Sequence, residues 1–356
     1  SNANVGEALP GVATPFTWSV LSEFSELGFR RAFGALGCTV PRDAELVGDF
    51  RGRIYINLSE FSAIMSQIPW IRTSMLLRLG GGEYIVELDE VVTGKSSTRF
   101  VLRLPQTVSR YVRENFRLKA RIEEFEGYFE DERMRVGSID PRILEPSGLD
   151  RMLGDVEHLL DETGSIMLTV YANLLAAALS LMAILRLFAG EEGPGLYRDL
   201  LSGLDDVSSA RPGFVLWQIA KLAREEPEVA FELRNKPLAE LRVDSLPPGR
   251  TRDALGRFLI EYGYRGVREA EIGAPRWAED PTLMFAALRS HLDSELDLDA
   301  REREAQRSRR DAERRLAQSV PIPLRPAVQR LLDVVRRFTR MREHLRGHVV
   351  EVLGMF

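Results

Sequence analysis

The sequence predicts a mainly α-helical, multi-helix domain with a small β element near its N-terminal third. Three observations predict it. Apolar residues return at one-turn spacing through long stretches, above all 153–189 and 327–356. Two other stretches, 106–133 and 298–316, carry dense charge of both signs, the pattern of solvated helices laced with ion pairs one turn apart. Alternating apolar positions, the mark of a strand, are confined to short runs at 53–58 and 84–92.

In chain order, Ser1-Asn2-Ala3 reads as an expression scar and is set aside. Pro15 opens a helix that runs toward Gly34, because proline's fixed φ suits a first turn; Trp18, Leu21, Phe24 and Phe29 share one side of it. The 53–58 strand carries β-branched Ile54 and Ile56, and 84–92 offers Ile85, Leu88, Val91 and Val92. A charged helix follows over 106–133, then an apolar one over 153–189 that stops at Gly190. Shorter helices at 196–204, 213–224 and 251–262 are separated by turns such as Leu246-Pro247-Pro248-Gly249. Pro321, Pro323 and Pro326 break the 298–316 helix. A last helix starts near Ala327 and passes through Leu331, Val335, Phe338 and Met341. It is still amphipathic at Phe356 with no cap or stop signal, so the chain reads as cut from a longer protein. The expected organisation is an N-terminal lobe over 4–150 and a helical lobe over 151–356.

Composition excludes several classes. The 356 residues are 44% hydrophobic and 28% charged, enough for a packed core with a soluble surface. A net charge of -5 argues against a nucleic-acid binder that works by neutralising phosphates. Cys38 is the only cysteine, which excludes an internal disulfide or a cysteine zinc site and suits a reducing, cytoplasmic compartment. Residues 166–188 are apolar over a length that can span a bilayer. Thr169, Asn173 and Ser180, with Ala176 and Ala177 between them, trace one face of that segment, and Arg186 interrupts its end. A buried central helix explains this better than a membrane span. The stripe either packs a neighbouring helix or lines a cavity.

Catalytic constellations are scarce. His344 and His348 have a spacing that can hold a metal, but no glutamate lies between them as in His-Glu-x-x-His, and no third ligand stands nearby in sequence. They read as a surface pair, and no metal is assigned. Gly94-Lys95-Ser96 echoes the end of a phosphate loop, yet Asp89 occupies the place of its first glycine. Gly80-Gly81-Gly82 lacks a strand–loop–helix frame, and no Gly-x-Ser-x-Gly elbow occurs. No cofactor is assigned to this chain.

The segment 262–281, YGYRGVREAEIGAPRWAEDP, crowds Gly263 and Gly266 with Arg265, Arg268, Arg276, Glu269, Glu271, Glu279, Asp280 and Trp277. Its glycines permit positive φ, Pro275 and Pro281 stiffen it, and its opposed charges can tie it down, so it reads as an ordered loop. It resembles the loop in the central domain of PEP-utilising phosphotransferases, particularly rifampicin phosphotransferases, where Tyr-Gly-x-Arg precedes Gly-Glu-x-Asp and Pro-Arg-Trp-x-Glu. Asn4-Val5-Gly6-Glu7-Ala8-Leu9-Pro10-Gly11 with Thr14-Pro15-Phe16-Thr17-Trp18-Ser19 is similar to the opening of that domain. Gly52-Arg53-Ile54-Tyr55-Ile56-Asn57 is similar to the strand that follows. Two positions depart from the pattern: Arg268 stands where the family usually has glycine, and Glu271 where it has aspartate.

The resemblance implies a substrate-binding domain that presents a hydroxyl to a phosphohistidine on another domain. ATP and Mg, with an ATP-binding and a phosphohistidine domain, are implied for the full-length enzyme, and an apolar small molecule, an antibiotic among them, for the acceptor. Arg342-Glu343-His344-Leu345-Arg346 resembles a family Arg-Glu-x-x-Lys segment whose basic residues face the transfer site. Arg342 matches its arginine, and Arg346 replaces its lysine. The other reading of this pair is an ordinary solvated arginine pair on a terminal helix; where the pair serves transfer, the helix face it occupies need not contribute to the core. Pro10, Val12, Pro15, Phe16 and Trp18 are the candidate acceptor pocket, or else Phe16 and Trp18 anchor the first helix. Arg265, Glu269, Glu271, Arg276 and Trp277 are the candidates that order the loop. A non-catalytic helical binding or scaffold module is the alternative function.

Overall fold

In the computed structural model, which describes residues 2–4, 9, 11–35, 37–67, 98–204, 211–294 and 297–356, helices dominate and the strands form one small sheet. The expected strand at 84–92 and the glycine-bearing runs at 80–82 and 94–96 lie outside the described residues, as does Pro10. Two compact units are formed: Ser1–Leu175 with Ala270–Gly273 and Met355–Phe356, and Ala176–Glu269 with Ala274–Gly354.

The first unit holds the sheet. Strands β1 (Asn2–Asn4), β2 (Val47–Phe50) and β3 (Arg53–Asn57) are antiparallel in the order β1-β3-β2. Arg51 and Gly52 make the β2–β3 turn with φ of 56° and 75°, the doubly left-handed geometry that suits the twist of a two-residue hairpin. Phe50 pairs with Arg53, and Ala3 pairs with Ile56. Residues set aside as an expression scar thus supply part of an edge strand.

Helix α1 (Pro15–Ala35) begins at Pro15 as expected. The strand hands over to α2 (Leu58–Met65) one residue earlier than its apolar pattern suggests, because the Asn57 carboxamide caps the new helix by accepting from the Glu60 amide at 3.3 Å. Phe33, Leu46, Ile64 and Met65 are buried together, and the Phe61 ring stands edge-on to Phe29 and Phe33 at 4.8 and 4.9 Å. Helix α3 (Thr98–Gly137) starts before the expected Gln106 and runs through Pro105.

Helix α4 (Pro146–Ala189) ends where Gly190 takes φ 57°. By length and composition alone it can cross a membrane. Its apolar run is not buried all round: Ile166, Val170, Asn173, Ala177, Leu181 and Leu185 are buried along one stripe, whereas Leu187 is 75% exposed. The polar groups in the run bond back to their own helix, Thr169 to the Ser165 carbonyl at 3.0 Å, Asn173 to Thr169 at 2.8 Å and Ser180 to Ala176 at 2.8 Å. Such i−4 bonding satisfies the hydroxyl and amide groups within the helix.

In the second unit α5 (Gly193–Leu200), α6 (Arg211–Arg224), α7 (Pro227–Asn235), α8 (Arg250–Tyr262) and α9 (Thr282–Asp293) precede the charged α10 (Leu298–Ser319) and the final α11 (Arg325–Leu353). Its core joins Leu216, Ile219, Leu233, Leu255, Phe258, Met284, Phe285 and Leu288 from α6 to α9. Glu226 caps α8 from outside, accepting from the Arg250 and Thr251 amides at 2.9 and 3.3 Å. A carboxylate suits that position because a helix N-terminus carries partial positive charge. The last helix keeps ordinary helical bonding through its final turn. It ends at Leu353, and the Gly354 amide returns to the Val350 and Glu351 carbonyls at 3.1 and 3.0 Å.

Candidate functional site

The segments singled out separately along the chain meet in the first unit. Ala13 donates its amide to the Gly52 carbonyl at 2.7 Å, beside the hairpin turn. Gly52 is required there twice over: its φ is 75°, and a Cβ on it would lie 2.5 Å from Val12 Cγ1. Trp18 is half-buried and packs with Leu21 against Leu9, Ala13 and Ile54. The opening segment and the Gly-Arg-x-Tyr-x-Asn strand therefore form one apolar cluster, to which Ala270 adds from the loop.

Glu271 ties the same loop to the start of α1. It is 1% exposed, and its carboxylate accepts from the Thr14 amide at 3.0 Å, the Thr14 hydroxyl at 2.7 Å, the Thr17 hydroxyl at 2.5 Å and the Gly273 amide at 3.1 Å. The Ile272 amide donates back to Thr17 Oγ1 at 3.0 Å. Burial pushes the carboxyl up, but the hydrogen bonds from Thr17 and Thr14 and from the amides of Thr14 and Gly273 outweigh it, so the group sits below the ordinary glutamate range. With that donor set Glu271 is a structural anchor between the loop and the start of α1.

The remaining candidates in the opening segment divide. Val12 and Phe16 are 55% and 46% exposed, and Pro15 is exposed at the first turn of α1. The Phe16 ring meets Phe356 edge-on at 6.1 Å. Trp18 thus packs into the apolar cluster, while Val12, Pro15 and Phe16 stand at the surface.

The flanks of the loop belong to the second unit. Arg265 and Glu269 form a nearly buried ion pair at 2.6 Å, and Arg276 Nη1 donates to the Glu269 carbonyl at 2.9 Å. Trp277 and Ala278 donate their amides to the Arg265 and Gly263 carbonyls at 2.8 and 3.0 Å, closing the two arms of the loop on each other. The Trp277 ring stacks on Phe258 at 5.6 Å with 29° between planes, which fixes that end to the core. Gly263 and Gly266 lie where these arms cross, and a Cβ on Gly266 would come within 3.1 Å of the Pro275 carbonyl.

Arg342 and Arg346 lie on α11, one turn apart and half-buried. Arg342 is not a solvated side chain: 29% of it is exposed, and its Nη2 and Nε contact Glu343 Oε1 at 2.5 and 3.1 Å. Glu343 is 5% exposed. Burial pushes the pKa of the Tyr197 phenol up, and the charge of the Arg342 guanidinium lowers it in part. Glu343 escaped the sequence reading, although the adjacent acid in Arg342-Glu343 was its signal. Farther along the helix the His344 and His348 rings lie 4.5 Å apart, and His348 Nδ1 is 4.0 Å from Glu351 Oε2.

Comparison with known proteins places residues 165–343 on the family model described as the rifampicin phosphotransferase fourth domain. The prodigiosin synthesizing transferase PigC of Serratia marcescens is 21% identical over 336 residues, which is 90% of this chain and 37% of that protein. The chain thus spans little more than a third of the length of the curated relative it matches.

Proposed function

The chain belongs to the rifampicin phosphotransferase-like family, and from that membership we propose that it is the acceptor-binding part of an ATP-dependent phosphotransferase. The acceptor is a small apolar molecule with a free hydroxyl. The observation that carries the reading is the junction of the opening segment, the β2–β3 hairpin and Glu271, which holds exposed Val12 and Phe16 on a frame that cannot easily rearrange. Preformed apolar surface binds at low ordering cost. The ATP-binding and phosphohistidine domains would belong to other parts of the full-length protein, where ATP would supply the phosphoryl group and Mg would bind its phosphates. In the transfer, the acceptor oxygen bonds to phosphorus as the N–P bond breaks. The electron pair returns to the histidine ring, and the hydroxyl proton leaves to water. Arg342 and Arg346 are the residues of this chain suited to offset the charge on the moving phosphoryl oxygens.

Calorimetry on the 356-residue chain tests the reading. An ansamycin and a panel of apolar alcohols should include a saturable ligand, whereas Mg-ATP should show no micromolar binding. Phe16→Ala should weaken that ligand while leaving the melting temperature close to wild type, because the ring is half outside the core. Tight Mg-ATP binding, or ligand affinity indifferent to Phe16, would overturn it.

A further inference from the structure

We propose that α11 carries a chelating site for a borderline divalent cation, Zn²⁺, Ni²⁺ or Cu²⁺, formed by His344 and His348 and oriented by Glu351. The two histidines are one helical turn apart, and their rings face each other edge-on with centroids 4.5 Å apart. Residues four apart lie one above the other on a helix, so two imidazole nitrogens can turn toward a single point without moving the backbone. Tetrahedral zinc takes imidazole nitrogen at about 2.0–2.1 Å, and imidazole also suits copper and nickel. The rigid α-helix holds both ring attachments in register.

Glu351 is the second observation. Its Oε2 lies 4.0 Å from His348 Nδ1, and both side chains are largely covered, at 19% and 14% exposure. At 4.0 Å the carboxylate acts on the ring by its charge rather than by a direct hydrogen bond, and it favours a proton on the nitrogen that faces it, which makes Nε2 the candidate metal donor. Metal-binding histidines characteristically have this outer-sphere carboxylate, which fixes the ring and raises its basicity. His344 is the exposed member of the pair and gives the cation a route from solvent. Two nitrogen donors leave further coordination positions for water or a bound ligand.

This site is independent of the proposed transfer chemistry. At 3.6 residues per turn, His344 and Arg342 are separated by more than half a turn, so His344 and His348 occupy a different side of α11 from Arg342 and Arg346. Failure of one reading therefore leaves the other standing.

The test is calorimetric titration of the chain, stripped of metal by chelator, with ZnCl₂ and separately NiCl₂. The expected result is one saturable site. His344→Gln should abolish it, and the exposed position makes that variant a safe one for folding. His348→Asn should do the same, with circular dichroism confirming an intact helix. Glu351→Gln should weaken binding about 10-fold, the lower end of what removing an outer-sphere partner costs. His158→Gln and His291→Gln should bind as wild type. Absence of a saturable site, or one unaffected by His344→Gln, would overturn the proposal. Wild-type affinity in Glu351→Gln would remove the orienting role.

Discussion

Replacing Glu271 by glutamine isolates the connection between the loop and α1. The carboxylate receives four donors: Thr14 Oγ1, Thr17 Oγ1 and the Gly273 amide at Oε1, and the Thr14 amide at Oε2. A glutamine of the same shape offers only one acceptor oxygen. If its NH₂ replaces Oε2, the Thr14 amide faces another donor; if it replaces Oε1, the Gly273 amide does. The threonine hydroxyls can rotate and accept, but a backbone N–H cannot. Either orientation strands one buried donor and removes the charge that strengthens the rest, for an expected loss of about 3 kcal/mol.

Guanidinium denaturation at pH 7, followed by tryptophan fluorescence, measures the loss, and amide exchange at Thr14 and Gly273 localises it. The pH dependence supplies a second check. The Glu271 carboxyl is depressed in the folded chain, so its contribution is complete above the ordinary glutamate value of about 4.3. It is lost as pH falls through the folded value. The gap between wild type and Glu271→Gln should therefore be constant near neutrality and narrow on acidification below that value. A variant that denatures within about 0.5 kcal/mol of wild type, the range of an ordinary surface substitution, would refute the reasoning.

Three further outcomes follow from other parts of the structure. Gly52→Ala should destabilise the hairpin by about 1–3 kcal/mol, because the new methyl meets Val12; the second variant Val12→Ala should recover part of the loss in the same denaturation assay. Arg342→Ala should cost about 3–5 kcal/mol by leaving Glu343 as a buried, unpaired carboxylate, and Glu343→Gln in the same chain should restore most of it. This replaces the expectation that the arginine's face is indifferent to folding. Cys38 is buried, and burial pushes its thiol up to about 12, so it should resist alkylation at pH 8 in the native chain and react only on unfolding, as mass spectrometry can read.

The helices were legible because each has its own period and punctuation. Pro15, Gly190 and the proline run at 321–326 fall where α1 begins, where α4 ends and where α10 gives way to α11. The short helices at 227–235 and 282–293 were not read, since one begins at a proline directly after α6 and the other follows the loop without a side-chain cap. Residues 2–4 look like an unstructured tag in isolation, and only pairing with Ile56 and its neighbours makes them a strand.

The candidate site was legible as residue types and illegible as contacts. The loop, the opening segment and the glycine of the hairpin stand far apart in sequence, and nothing in composition says that Glu271 will take its donors from Thr14 and Thr17. Yet the physical demand explains each residue type. A carboxylate is needed where a helix start and a loop leave N–H and O–H groups buried. Glycine is needed where φ is positive and Val12 leaves no space, and a large aromatic is needed where Phe258 offers a ring face to Trp277. Those demands belong to the frame. Val12, Pro15 and Phe16 are exposed, although Val12 lies against Gly52 and the Phe16 ring meets Phe356 edge-on. If, as proposed, these exposed apolar side chains meet the acceptor, the acceptor can change while the frame beneath them keeps the fold. On that argument acceptor specificity in this family should vary with the residues at 12 and 16, and the positions of Gly52, Thr17 and Glu271 should tolerate only substitutions that preserve a turn, a hydroxyl and an acid.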